Sequence, residues 1–207
     1  MEAKRQAMMQ AMGQHVLFDG WSEAAFLAAA DDAGVAGAQA RVLFPRGALD
    51  VAVALHKAGD ARALADLAAD PDARFRDRMA QAILLRLHHA GDRHVVRASS
   101  SLFALPQHMV EGAALIWGTA DAIWTGLGDT SRDFNWYTKR ASLAVVYSAS
   151  LLFWLGNEDE AEVAAFVDRR IANVMALQAP PLKTLASTLL APLRAPTARD
   201  DLPGRWG

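Results

Sequence analysis

Cysteine is absent from all 207 residues, which excludes disulfides, thiolate nucleophiles and cysteine-ligated zinc or iron–sulfur clusters and fits a reducing compartment. Charge of one sign is also missing. With 21 Lys+Arg against 23 Asp+Glu the formal net charge is −2, so the chain lacks the broad basic field of a general nucleic-acid binder. Long apolar runs are lacking too: Leu143 to Leu155 falls short of the ~20 residues of a membrane-spanning helix and is interrupted by Tyr147, Ser148 and Ser150. The N-terminus, Met1-Glu2-Ala3-Lys4-Arg5, has neither the layout of a secretory signal nor the Arg- and Ser-rich character of a presequence, so a bacterial protein or a mature form is expected.

Catalytic motifs are missing as well. There is no Gly-x-Ser-x-Gly elbow and no Gly-x-x-x-x-Gly-Lys phosphate loop, and Gly126-Leu127-Gly128 follows a helical pattern rather than a strand. Six histidines (His15, His56, His88, His89, His94, His108) occur without any Glu-x-x-His pair, so a bundle-type di-iron site cannot be assembled. No catalytic residue, metal ligand or cofactor is expected, and the chain is read as no enzyme.

What is present is helical periodicity. Met79, Ile83, Leu84 and Leu87 recur at three- and four-residue spacing, as do Leu143, Val146, Tyr147, Leu151 and Trp154, and 53% hydrophobic residues suffice for a packed core. Strand-like alternation is nowhere sustained. Gly20, Gly34, Gly59, Gly91, Gly128 and Gly156, with Pro71, Pro106 and Pro180, leave room for about ten helices, and the fold class is all-α. Three divisions follow: 1–47, a head of three helices; 48–177, a helical ligand domain; and 178–207, a last helix with a tail.

The head looks like the DNA-binding end of a TetR-type protein, with a glycine-containing turn between short helices. The chemistry of DNA contact is deficient. Residues 36–44, where a recognition helix would lie, hold one basic side chain, and the 1–47 segment carries a formal −1. A degenerate helix-turn-helix that does not bind nucleic acid is expected.

The most unusual string is Asp133-Phe134-Asn135-Trp136-Tyr137-Thr138-Lys139-Arg140. On a helix Trp136, Tyr137 and Arg140 share a face, with Asp133 one turn earlier. Capping by Ser131 or Asp133 and structural aromatics would explain part of it. A Trp-Tyr pair beside Lys139-Arg140 points further, to an exposed patch in which Arg140 grips a lipid phosphate and Asp133, Asn135, Trp136 and Tyr137 meet a partner; truncating Trp136 or Arg140 would then leave stability nearly intact.

Together with Leu105-Pro106-Gln107, Gly128-Asp129 through Arg140, and Phe166-Val167-Asp168-Arg169-Arg170-Ile171, this string resembles the ubiquinone (coenzyme Q) biosynthesis protein nine family, over about Leu102 to Leu177. The resemblance implies a TetR-like fold and a non-enzymatic, lipid-binding accessory factor. Such a factor takes polyprenylated ubiquinone precursors from the membrane and presents them to a di-iron, demethoxyubiquinone-type hydroxylase. Its partners would be ubiquinone precursors and phospholipid, the hydroxylase, a membrane surface and a second copy in a homodimer.

Leu102, Phe103, Leu115, Ile116, Ile123, Val146, Leu151 and Trp154 suit a packed core or a polyprenyl pocket equally, and the resemblance points to the pocket. From about Pro181, Leu182, Leu185, Leu189, Leu190 and Leu193 fall on one helical face, the pattern of an amphipathic helix that lies on a membrane, docks on its own bundle or pairs with a second copy. The expected location is peripheral, on the bacterial inner membrane from the cytoplasm or on the mitochondrial matrix side. A TetR-type regulator sensing a hydrophobic ligand is the alternative function.

Overall fold

The computed structural model describes residues 1–67, 73–131 and 134–177. Among them are nine α-helices and no strand: α1 (Glu2–Asp19), α2 (Glu23–Asp32), α3 (Gly37–Leu43), α4 (Ala48–Asp66), α5 (Phe75–His88), α6 (Arg93–Ala104), α7 (Met109–Gly126), α8 (Phe134–Gly156) and α9 (Glu160–Leu177). The all-α expectation holds. The amphipathic helix expected from about residue 181, with Leu182, Leu185, Leu189, Leu190 and Leu193, lies outside the described residues.

Local chemistry starts and stops these helices. Ser22 accepts from the Ala25 N–H at the start of α2, Asp92 from the His94 N–H at 2.7 Å for α6, and Asp159 from the Ala161 N–H at 2.8 Å for α9. Gly34 and Gly128 stop α2 and α7 with φ of 62° and 84°, a left-handed conformation that favours glycine. In both, the two N–H groups beyond the helix return to its last turn: Val35 to Ala30 O and Gly34 to Asp31 O, Asp129 to Trp124 O and Gly128 to Thr125 O. Gly59, expected as a break, sits inside α4 instead. One glycine costs a helix only about 1 kcal/mol, which the packing of a 19-residue helix absorbs.

The chain forms two compact units whose boundary falls inside α4 and inside α7: residues 1–61 with 90–112, and 62–89 with the described residues from 113 on. The first unit therefore extends beyond the expected 1–47 head. Its core is Met8, Met12, Val16, Phe26, Phe44 and Val51, with Val95 and Ala98 of α6 packed against it, so α6 belongs with the head.

The basic side chains of residues 1–47 turn onto their own unit. Lys4 donates to Gln39 Oε1 at 2.8 Å, and Arg5 donates to Leu43 O and lies 4.4 Å from the centre of the Phe44 ring. Arg41 pairs with Glu23 and covers Phe26, and Arg46 bonds Asp50 at 2.7 Å and Glu111 at 2.8 Å.

The second unit is built around Met79, Ile83, Leu87, Ile123, Leu143, Val146, Tyr147, Val163 and Val167. The polar interruptions in its apolar helices are absorbed locally. Ser150, fully buried, donates to Val146 O, and Thr119 donates to Leu115 O, each bonding a carbonyl one turn earlier. Among the described residues no helix is long and apolar enough to cross a membrane.

Candidate functional site

The Gly128 turn that ends α7 delivers Asp129 into the second unit, where its side chain is only 4% exposed. Three donors converge on that carboxylate. Lys139 Nζ bonds Oδ1 at 2.8 Å, Ser131 Oγ bonds the same oxygen at 2.7 Å, and Arg140 Nη1 bonds Oδ2 at 3.0 Å. Lys139 also donates to Ser131 Oγ at 2.6 Å. Arg140 uses its Nε on Asp121 of α7 at 2.6 Å, so one guanidinium fastens α8 to both α7 and the loop between them. Burial alone would push the Asp129 carboxyl up. The hydrogen bonds from Lys139, Ser131 and Arg140 and the charge of Lys139 outweigh it and hold the pKa at about 2.

Four aromatic rings surround this network. The Arg140 guanidinium lies 4.1 Å from the centre of the Trp136 ring, and Trp136 meets Tyr137 edge-on at 4.8 Å. Trp117 of α7 lies 5.9 Å from Trp136 and 6.5 Å from Tyr137. On the other side, Trp124 Nε1 donates to Lys139 O at 3.0 Å while Lys139 Nζ sits 5.1 Å from the Trp124 ring centre. Two cations are thus placed between two buried or part-buried carboxylates and two indoles. Asp129 is ionised throughout the neutral range. The cluster's chemistry is that of a rigid mount, which presents exposed Asn135 and half-buried Tyr137 at the start of α8.

This corrects the expectation of a freely exposed patch. Trp136 is 8% exposed and Arg140 3%: Arg140 is drawn in by the Asp129 carboxylate, which sequence spacing alone does not place, and Trp136 packs beneath the Arg140 guanidinium and against Trp117. Removing either residue is therefore expected to cost stability. The Ser131 hydroxyl, a capping candidate, is bound between Asp129 and Lys139. Asp133 lies outside the described residues.

Of the candidate pocket residues, Ile123 and Val146 are in the core of the second unit, Ile116, Leu151 and Trp154 pack against that core, and Leu115 is buried. Leu102 and Phe103 are half-buried on α6 in the first unit. Sequence reasoning missed Asp121 and the central role of Asp129. The signal for Asp121 was available: it is the lone acid between Leu115 and Trp124 in an apolar helix, which calls for a cationic partner. Among the described residues no group of three or more His, Asp or Glu side chains is placed to hold a metal ion. His15 and His89 instead bond single aspartates, Asp32 at 2.7 Å and Asp66 at 2.6 Å.

The segment that builds this site, α7 through α9, is the one that matches a family model. Residues 109–178 match the COQ9 family model. Over that stretch the chain is similar to the COQ9 family. The ubiquinone biosynthesis protein COQ9, mitochondrial, of Rattus norvegicus is 36% identical over 77 residues, 36% of this chain and 25% of the rat protein. That of Drosophila melanogaster is 27% identical over 187 residues, 86% of this chain and 57% of the fly protein. That of Schizosaccharomyces pombe is 33% identical over 105 residues, 48% of this chain and 41% of the yeast protein.

The match thus spans about a quarter of the rat protein and rather more than half of the fly protein. The fold has a counterpart among solved structures. A TetR transcriptional regulator from Nitrosomonas europaea superposes with a TM-score of 0.69 at 15% identity, covering 84% of this chain and 98% of the regulator. The stretch that matches the COQ9 model thus lies in a TetR-like all-α fold, as the sequence resemblance implied.

Proposed function

We propose that this chain acts in ubiquinone biosynthesis as a non-enzymatic lipid-binding protein, taking polyprenylated quinone precursors from a membrane and presenting them to a di-iron hydroxylase. The observation that carries the reading is that the COQ9 match falls on the helices that build the Asp129–Arg140 site. In this reading the buried ion pairs hold the start of α8 rigid, Asn135 and Tyr137 meet the hydroxylase with Asp133, and the apolar interior of the second unit receives the isoprenoid. Arg140, with its charge already taken by two aspartates, serves as a strut for that surface rather than as the grip on a lipid phosphate.

A peripheral membrane position, on a bacterial inner membrane or the mitochondrial matrix side, and a homodimer complete the proposal. Val145 and Leu152, two turns apart on α8 and 68% and 67% exposed, support an apolar face for a second copy. Against the regulator alternative stands the head, where Lys4, Arg5, Arg41 and Arg46 are all engaged within their own unit. Their release for phosphates would break those bonds.

Mass spectrometry of lipid extracted from the purified chain tests the reading. An isoprenoid quinone or its precursor is expected, at a level that falls when Ile123 or Val146 is enlarged to Trp. Phospholipid alone, or no lipid, would contradict it. For the partner, Asn135→Ala with Tyr137→Ala should abolish capture of the hydroxylase while leaving bound lipid unchanged.

A further inference from the structure

The opening of α5 breaks the usual rules for a helix start. Its N-cap is Arg74, whose side chain makes no capping bond, and Arg76 and Arg78 follow at the positive end of the helix dipole, where cations are disfavoured. Phe75, between the first two arginines, is 47% exposed. In the same unit α5 packs against α9, and Arg76 Nη2 donates to Asp168 O at 3.3 Å, which sets the Asp168-Arg169-Arg170 stretch beside this helix start.

Among the described residues none of these five arginines has a carboxylate within ion-pair distance, whereas Arg41, Arg46, Lys139 and Arg140 all do. The Nε–H groups of Arg78 and Arg170 are buried and meet no protein acceptor. Asp77 and Asp168 are the carboxylates of residues 74–78 and 168–170, so these eight residues hold a formal +3 in a chain of net −2.

Such local choices are unfavourable to the helix itself and gain a physical reason from an anion outside the protein. We propose that the start of α5 and the 168–170 stretch of α9 form a docking face for an anionic phospholipid surface. The guanidinium forks bond lipid phosphates two oxygens at a time, and Phe75 enters the headgroup layer between them. An exposed ring flanked by cations is the composition of a lipid-interface anchor; a single such ring does not make the run of stacking platforms that single-stranded nucleic acid needs. Phe75 stacks on Trp124 at 5.4 Å, and Trp124 bonds Lys139, so the face is continuous with the site at the start of α8. The inference rests on the peripheral membrane position proposed above, makes no use of residues 178–207 and does not depend on the quinone reading.

Co-sedimentation of the full chain with vesicles tests it, comparing phosphatidylcholine alone with phosphatidylcholine mixed with phosphatidylglycerol. Binding should favour the mixed vesicles and weaken with salt. Each cation near an anionic surface contributes about a fivefold gain, so Arg74→Gln, Arg76→Gln and Arg169→Gln together should lose about a hundredfold on mixed vesicles, with binding to neutral vesicles unchanged. Arg169→Gln alone, at an exposed mid-helix position, should lose about fivefold and serves if the triple variant melts early. Lys57→Gln, an exposed cation of the first unit, should change nothing. Leu185→Asp with Leu189→Asp should instead lower binding to both vesicle types alike. Equal binding of the triple variant and the unaltered chain to mixed vesicles would overturn the proposal, as would tighter binding of this face to polyglutamate or to DNA.

Discussion

The two units carry the same kinds of ion pair in opposite settings. In the head, Arg41 and Glu23 pair with side chains 41% and 56% exposed; in the second unit, Arg140 and Asp129 pair at 3% and 4%. Exposed pairs are solvated before and after they form and are worth about 0–1 kcal/mol. A buried pair is held by the desolvation that would follow its loss, about 3–5 kcal/mol when one member is removed. The head's pairs therefore neutralise charge at little energetic consequence. Those at the start of α8 fix geometry, and they do so within the segment shared with COQ9 proteins.

Breaking the buried side of this contrast should give the largest effect. Arg140→Ala is expected to lower the unfolding free energy by about 3–5 kcal/mol in urea titration, since it leaves Asp129 buried with Lys139 as its one cation. Trp136→Ala should follow at about 3 kcal/mol, the cost of emptying a buried indole site and uncovering the guanidinium above it.

Next comes acid. Asp129 has a pKa of about 2 against an ordinary 3.8, so its contribution is fully present above pH ~4 and is lost as pH falls through 2. The shift corresponds to about 2 kcal/mol, and Asp129→Asn should flatten that part of the stability-versus-pH curve. Arg41→Ala closes the series, with a change of about 0–1 kcal/mol in the same titration. A loss as large as that of Arg140→Ala would remove the distinction between the units.

Much of the fold was legible from local pattern. Apolar spacing of three and four residues identified the helices, and Gly34 and Gly128 marked real helix ends because a left-handed turn is a local requirement. Gly59 misled for the opposite reason: its neighbours' packing, which no local rule reports, carries α4 through it. At the site, spacing placed Trp136, Tyr137 and Arg140 on one face, and that held. Their exposure did not. Burial of Arg140 depends on Asp129 and Asp121, 11 and 19 residues away, and such pairings are tertiary. The reach of the first unit to α6 was hidden in the same way, since Val95 and Ala98 join a core built mostly before residue 55.

In the function proposed here, this chain serves ubiquinone synthesis through the surface mounted on the Asp129–Arg140 network. The most direct test is the quinone content of the native cell after deletion of the chain, with complementation by the unaltered protein and by Asn135→Ala with Tyr137→Ala. Deletion should lower ubiquinone and accumulate the precursor awaiting hydroxylation; the unaltered chain should restore both, and the double variant, folded and lipid-loaded, should restore neither. Ubiquinone that stays at its normal level without the chain would contradict the account.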